Sequence, residues 1–131
     1  MPPLLTALGP LVGRLLLSGI FFFSGFQKLV ATGRAAASIA GKGLPFATSA
    51  AYAAGAFEIA AAVLLALGLK TRLAALALVL YLAFVSWLYH WQPALRGDHA
   101  QMIQLLKNAG IMGGMLLLAS FGPGSASVDR G

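Results

Sequence analysis

Glu58 is the only acidic residue in the first 97 positions, and it lies within the apolar stretch 46–69. A charge at mid-membrane costs about 2.5–3.5 kcal/mol on insertion scales, so it faces protein, takes a partner and commonly serves a function. Arg14 interrupts the apolar stretch 4–27 in the same way. Counted from the ends of their segments, Arg14 and Glu58 fall at matching depths to within about one helical turn. An Arg–carboxylate pair can be bidentate and satisfies most of both groups' hydrogen-bonding needs where water is absent. The expected arrangement is an Arg14–Glu58 ion pair, acting either as a proton relay or as a structural lock between helices.

Helical spacing gathers further polar residues around that pair. Arg14, Ser18, Phe21, Gly25 and Lys28 form one stripe at steps of three and four. Glu58 shares a face with Ala51, Ala54, Gly55, Ala61 and Ala62, small residues that admit a close neighbour. Lys107 shares a face with Gly110 and Gly114, and Gly9 and Gly13 repeat that spacing beside Arg14. Lys107 is expected inside the bundle, whereas Lys28, at a helix end, is placed to snorkel to the headgroups. Were both lysines to face inward, the bundle would hold three cations against one carboxylate. It would then favour an anion such as a lipid phosphate, a sulfur oxyanion or a reduced quinone. His90 extends the Ser86 face among Trp87, Tyr89 and Trp91, as an interfacial aromatic belt does.

The elements that position these groups are membrane spans. The 131 residues are 60% hydrophobic and 9% charged, against about 25% charged in soluble domains. The mean hydropathy is +0.87. The expected fold is an all-α, integral membrane four-helix bundle in one domain over 1–131, with spans at about 4–27, 46–69, 73–91 and 101–121. Pro93 is expected to stop the third span, and 122–131 forms a short polar tail. The alanine-rich segment between Arg34 and Lys42 suits a short interfacial helix. Met1-Pro-Pro opens without the basic region of a cleavable signal, so the first span is expected to remain as an anchor.

Four spans place both termini on one side, here side A, with Lys70, Arg72 and Arg130. Side B then holds Lys28, Arg34, Lys42 and Arg96. Three cations against four leave the orientation open by the positive-inside rule. Without cysteine, the chain supplies no disulfide, iron–sulfur ligand or Cys-x-x-Cys redox pair. Its two histidines sit at or beyond one edge of the bundle, a poor arrangement for haem, and no metal site is expected. The basic excess of six charges is distributed between spans, which reads as membrane topology rather than nucleic-acid binding.

The order of motifs resembles the DoxX family. The resemblance rests on Arg14 followed by Gly19-Ile-Phe-Phe-Phe-Ser-Gly-Phe-Gln-Lys28, then Gly43-Leu-Pro45 and Phe57-Glu-Ile-Ala60. It continues through Leu67-Gly-Leu-Lys-Thr-Arg72, Leu106-Lys-Asn-Ala109 and the Gly122-Pro-Gly124 exit with Asp129 beyond. It implies a multi-pass protein of the bacterial inner (cytoplasmic) membrane, associated with redox systems. Relatives include subunits of thiosulfate:quinone oxidoreductases and a partner in thiol-stress defence complexes. The polar positions carried over are Arg14, Lys28, Glu58, Lys107 and Asn108.

The expected function is a subunit or accessory of a quinone-linked complex, in which Arg14 and Glu58 handle a proton. Lys107, Asn108, Lys28 and His90 would engage a quinone or anionic substrate from side B. Any enzymatic activity would then belong to the complex, with lipid, redox subunits or a second copy of the chain as partners. Two alternatives stand beside it: a non-catalytic scaffold of a respiratory or stress-defence complex, and a small anion or lipid carrier.

Overall fold

The computed structural model describes residues 2–129; Arg130, assigned to side A above, lies outside them. Six helices form: α1 (Pro3–Val30), α2 (Thr32–Gly41), α3 (Ala47–Leu67), α4 (Thr71–Val85), α5 (Gln92–Leu95) and α6 (His99–Phe121). Four lengths of helix are long and apolar enough to cross a membrane: Pro3–Val30, Ala47–Leu67, Thr71–Leu95 and His99–Phe121. The short α2 sits between the first two spans, as the alanine-rich segment implies.

Each boundary has a local cause. α1 starts on Pro3, which suits a first helical turn because its missing N–H would have no intrahelical partner. α3 stops at Gly68, whose φ of +69° is the left-handed conformation of a helix exit. The Leu69 N–H then bonds back to the Leu64 carbonyl at 2.9 Å. Asp98 caps α6 by accepting from the Gln101 N–H at 3.2 Å. Gly122 releases the chain at the other end, with φ +86°.

The third span departs from expectation at Pro93. It does not stop there, because a π-helical turn over Ser86–Trp91 carries α4 directly into α5. The i→i+5 pattern of a π turn widens the backbone just before the proline, where a regular α-turn would lose a hydrogen bond and meet the ring. Pro93 thus becomes the start of the next helical turn rather than the end of the span.

In lipid, association depends on close packing rather than on escape from water. α1 packs along α3, and α4 packs along α6; α3 and α4 join the pairs, while α1 and α6 meet only briefly. α1 and α3 meet closely at a notch where Gly25 faces Gly55. A Cβ on Gly25 would lie 2.8 Å from the Gly55 carbonyl oxygen and 2.7 Å from Ile59. Gly110 and Gly13, by contrast, face open space, so neither of their glycine spacings forms a comparable notch within the chain. The core around Leu65, Ala75, Leu78 and Met115 joins α3, α4 and α6. Most remaining large apolar side chains point outward, as a lipid-facing surface requires.

Candidate functional site

The Gly25–Gly55 notch sets what Arg14 and Glu58 can reach. α1 and α3 are antiparallel, so each step back along α1 is matched by a step forward along α3. Arg14, eleven residues before Gly25, falls opposite Ala66, eleven residues after Gly55. Glu58 falls against the turn holding Ser24. Leu65 lies about 10 Å further along α3 than Glu58 at the helical rise per residue.

The expected Arg14–Glu58 pair is therefore replaced by two separate centres. Arg14 is 1% exposed and turns toward side A, where it donates to four backbone carbonyls. These belong to Leu65 (2.9 Å), Ala66 (3.0 Å), Pro123 (3.1 Å) and Ala126. Two belong to the last turn of α3, where Leu65 also accepts from the Gly68 N–H at 3.1 Å, and two lie in the tail. Sequence matching of depths failed here because hydropathy locates span ends but not the register between helices.

Glu58 instead pairs with Lys28, at 3.1 Å from Lys28 Nζ to Oε2 and 3.2 Å to Oε1. Lys28 does not snorkel outward; it bends back along α1 and also donates to Ser24 Oγ at 2.8 Å. Tyr81 from α4 donates its hydroxyl to Glu58 Oε1 at 2.8 Å, and Ser24 adds a longer bond of 3.3 Å. The carboxylate side chain is only 4% exposed, and three donors on two other helices surround it. The Tyr81 ring is fixed by Phe57, with centroids 5.1 Å apart. A tyrosine inside an apolar span needs a partner for its hydroxyl, and that need was the available sequence signal for Tyr81.

A cavity of about 710 Å³ opens above this centre toward side B. It is walled by α1, α2, α3, α4, the π turn and α6. Lys28, Glu58, His90, Lys107 and Asn108 all line it; of the expected site residues, Arg14 alone does not. Ser24, Arg34 and Tyr81 line it too, and the sequence reading did not place them in the site. The π turn orients Ser86 and His90. Asn108 is buried and donates to Ser86 Oγ at 3.0 Å, while His90 Nδ1 meets the Gln101 side-chain oxygen. Lys107 lines the cavity but remains accessible, and no hydrogen bond or ion pair engages its side chain among the described residues. Among those residues, no cluster of three metal-ligating side chains forms.

Residues 9–91 match the DoxX family, well over half of the chain. The chain belongs to the DoxX family. It is also 34% identical over 122 residues to the inner membrane protein YphA of Escherichia coli K12, covering 92% of this chain and 87% of that protein. Residues 54–131 match the SURF4 family as well. No solved structure matches the chain. With four spans and an inner-membrane relative, this DoxX protein is a multi-pass protein of the inner membrane. The DoxX match includes Ser24, Lys28, Glu58, Tyr81 and His90, whereas Lys107 and Asn108 fall only within the SURF4 match. The cavity is thus built from both matched stretches.

Proposed function

We propose that this DoxX protein is a membrane subunit or accessory of a quinone-linked redox complex, with the side B cavity seating the quinone headgroup. The observation that carries the reading is an apolar chamber ending at a buried polar cluster, Ser24–Lys28–Glu58–Tyr81, near mid-membrane. A quinone offers an apolar ring, two carbonyl acceptors and an isoprenoid tail. The donors present fit it: Lys28 Nζ and the Tyr81 hydroxyl can turn from Glu58 to a carbonyl oxygen. Glu58 orients both donors and can hold a proton at its carboxylate, while Ile20, Phe21 and Leu82 keep water from the ring. A bound quinone would supply electron and proton transfer, with electrons drawn from a partner redox subunit.

The test is to purify the protein in nanodiscs, extract it with organic solvent and count quinone per chain. Retention above that of protein-free nanodiscs, lowered by Glu58→Gln and Tyr81→Phe, is expected. Background quinone, no co-purifying redox subunit and unchanged respiration on deletion would together reject the proposal. One observation favours a scaffold instead. Arg14 is wholly engaged with backbone carbonyls and touches no part of the cavity. If Glu58→Gln abolishes complex activity with assembly intact, the cavity matters; loss of assembly in both Glu58→Gln and Arg14→Gln assigns the chain to scaffolding.

A further inference from the structure

We propose that the side B cavity carries a second recognition element beside the Glu58 centre: a phosphate site formed by Arg34 and Lys107. The argument begins with the counter-ions. The chain contains three carboxylate side chains. Glu58 is taken by Lys28 and Tyr81. Asp98 caps α6 through the Gln101 N–H, and Asp129 accepts from the backbone N–H groups of Lys70 and Thr71 on side A. Arg34 from α2 and Lys107 from α6 both line the cavity, yet neither side chain has an ion pair or hydrogen bond among the described residues. Both side chains are exposed, so an external anion can supply their counter-charge.

Other side B cations lack this arrangement. Lys28 has its carboxylate, and Lys42 lies over the Tyr89 ring, 5.3 Å from its centroid. Lys107 is the ninth residue of α6, about two turns inside the helix, so it does not stand at the headgroup level by default. Buried Asn108 and its Ser86 partner stiffen the wall next to it.

The surroundings select an amphiphile. Apolar side chains of Ile20, Phe23, Leu88 and Ile111 share the chamber with the two cations, and α1 and α6, which carry three of the four, meet only briefly. That loose seam gives an acyl or isoprenoid chain a way in from the bilayer. An Arg guanidinium and a Lys ammonium suit a phosphate group, the first through its forked donors and the second as a point charge. The ligand is therefore a phosphate-headed membrane amphiphile, held by its head at Arg34 and Lys107 and by its chain along the seam.

The experiment is native mass spectrometry of the purified chain from mixed micelles of phosphatidylglycerol and phosphatidylcholine. A parallel arm titrates inorganic phosphate as competitor. The wild type is expected to retain phosphatidylglycerol selectively, and the double variant Arg34→Gln/Lys107→Gln to retain it roughly thirtyfold less, at about 1 kcal/mol per cation. The charge-keeping variant Arg34→Lys/Lys107→Arg should restore retention, which separates charge recognition from a folding defect. Competition by millimolar phosphate shows that the free anion is also recognised; retention that resists it assigns the site to the lipid headgroup. Equal retention by wild type and the double glutamine variant, or no preference over phosphatidylcholine, overturns the proposal. Quinone is counted in the same preparations: loss of phosphatidylglycerol with quinone retained supports a separate phosphate site, whereas loss of both together assigns Arg34 and Lys107 to the quinone seat and overturns the proposal.

Discussion

The two ends of the bundle use buried charge in opposite ways. On side A, the Arg14 guanidinium is surrounded by carbonyls at a helix end and in the tail. Arg72 does the same for the end of α6, donating to the Ala119 and Ser120 carbonyls at 3.2 and 2.8 Å. The tail is stitched on by Val128 and Asp129, whose N–H groups bond the Leu67 and Gly68 carbonyls at 3.0 and 2.8 Å. On side B, an ion pair stands at the base of an open chamber with further cations around it. Charge satisfied by backbone makes a closure. On the reading proposed above, charge satisfied only in part leaves a place for a ligand.

If side A is a closure, breaking its centre should produce the largest loss of stability. Arg14→Leu would remove the donor of the Ala66, Pro123 and Ala126 carbonyls, while Leu65 keeps the Gly68 N–H, and unsatisfied buried groups cost about 1–3 kcal/mol each. A loss of at least about 3 kcal/mol is expected, seen as a failure to stay monodisperse in detergent or a collapse of the tryptophan-monitored unfolding midpoint. Gly25→Ala ranks next, because its methyl group would meet the Gly55 backbone oxygen at 2.8 Å. Overpacking of this kind costs about 1–3 kcal/mol. It should also part Lys28 from Glu58, visible as lost quinone retention; an unchanged midpoint would show that the helices slide past the notch freely.

The side B centre should behave differently. Glu58→Gln keeps the shape and an acceptor for Tyr81 while removing the charge. Tyr81→Phe removes one bond and leaves the ring packed against Phe57. Each is expected to cost about 1.5–3 kcal/mol in unfolding, the value of a hydrogen bond to a charged group, while ligand retention falls. Severe unfolding by Glu58→Gln would make side B a lock like side A and erase the contrast between the two ends.

The same contrast explains what the sequence could reveal. The buried residues of α1 are Arg14, Ser18, Phe21 and Gly25, the stripe that helical spacing selects. The Glu58 face of α3 is likewise legible, since side-chain direction follows from a 3.6-residue repeat alone. What joins one stripe to another is register, and register came from a backbone approach at two glycines that spacing could not rank above Gly9–Gly13 or Gly110–Gly114. Lys28 shows the consequence. Its position at a helix end suggested headgroups, but the register brought Glu58 within reach of its long side chain. The partners of Arg14 were hidden for a different reason: they are carbonyl oxygens, which every residue carries, two at the end of α3 and two in a tail whose side chains are small.

Asp129 allows the smallest and most selective break. Its carboxylate accepts from the Thr71 N–H at 2.8 Å and the Lys70 N–H at 2.9 Å, at the start of α4. Lys70 holds a left-handed φ of +49°, so this contact also supports a backbone that a side chain rarely adopts. These N–H bonds, Thr71 first and Lys70 next, hold the Asp129 carboxyl below its ordinary value, and the nearby Arg14 charge acts in the same direction. A depressed folded-state pKa means that the ionised form stabilises the fold. That contribution is fully present above the unfolded value of about 4 and is lost as pH falls through the lower folded value. Asp129→Asn should therefore lower the unfolding midpoint slightly at neutral pH, and the gap to wild type should close below about pH 4. Every other group is common to both proteins, so the difference between them isolates the tail. A gap that persists into acid would mean that the side chain acts by shape rather than charge, and would make the side A closure independent of pH.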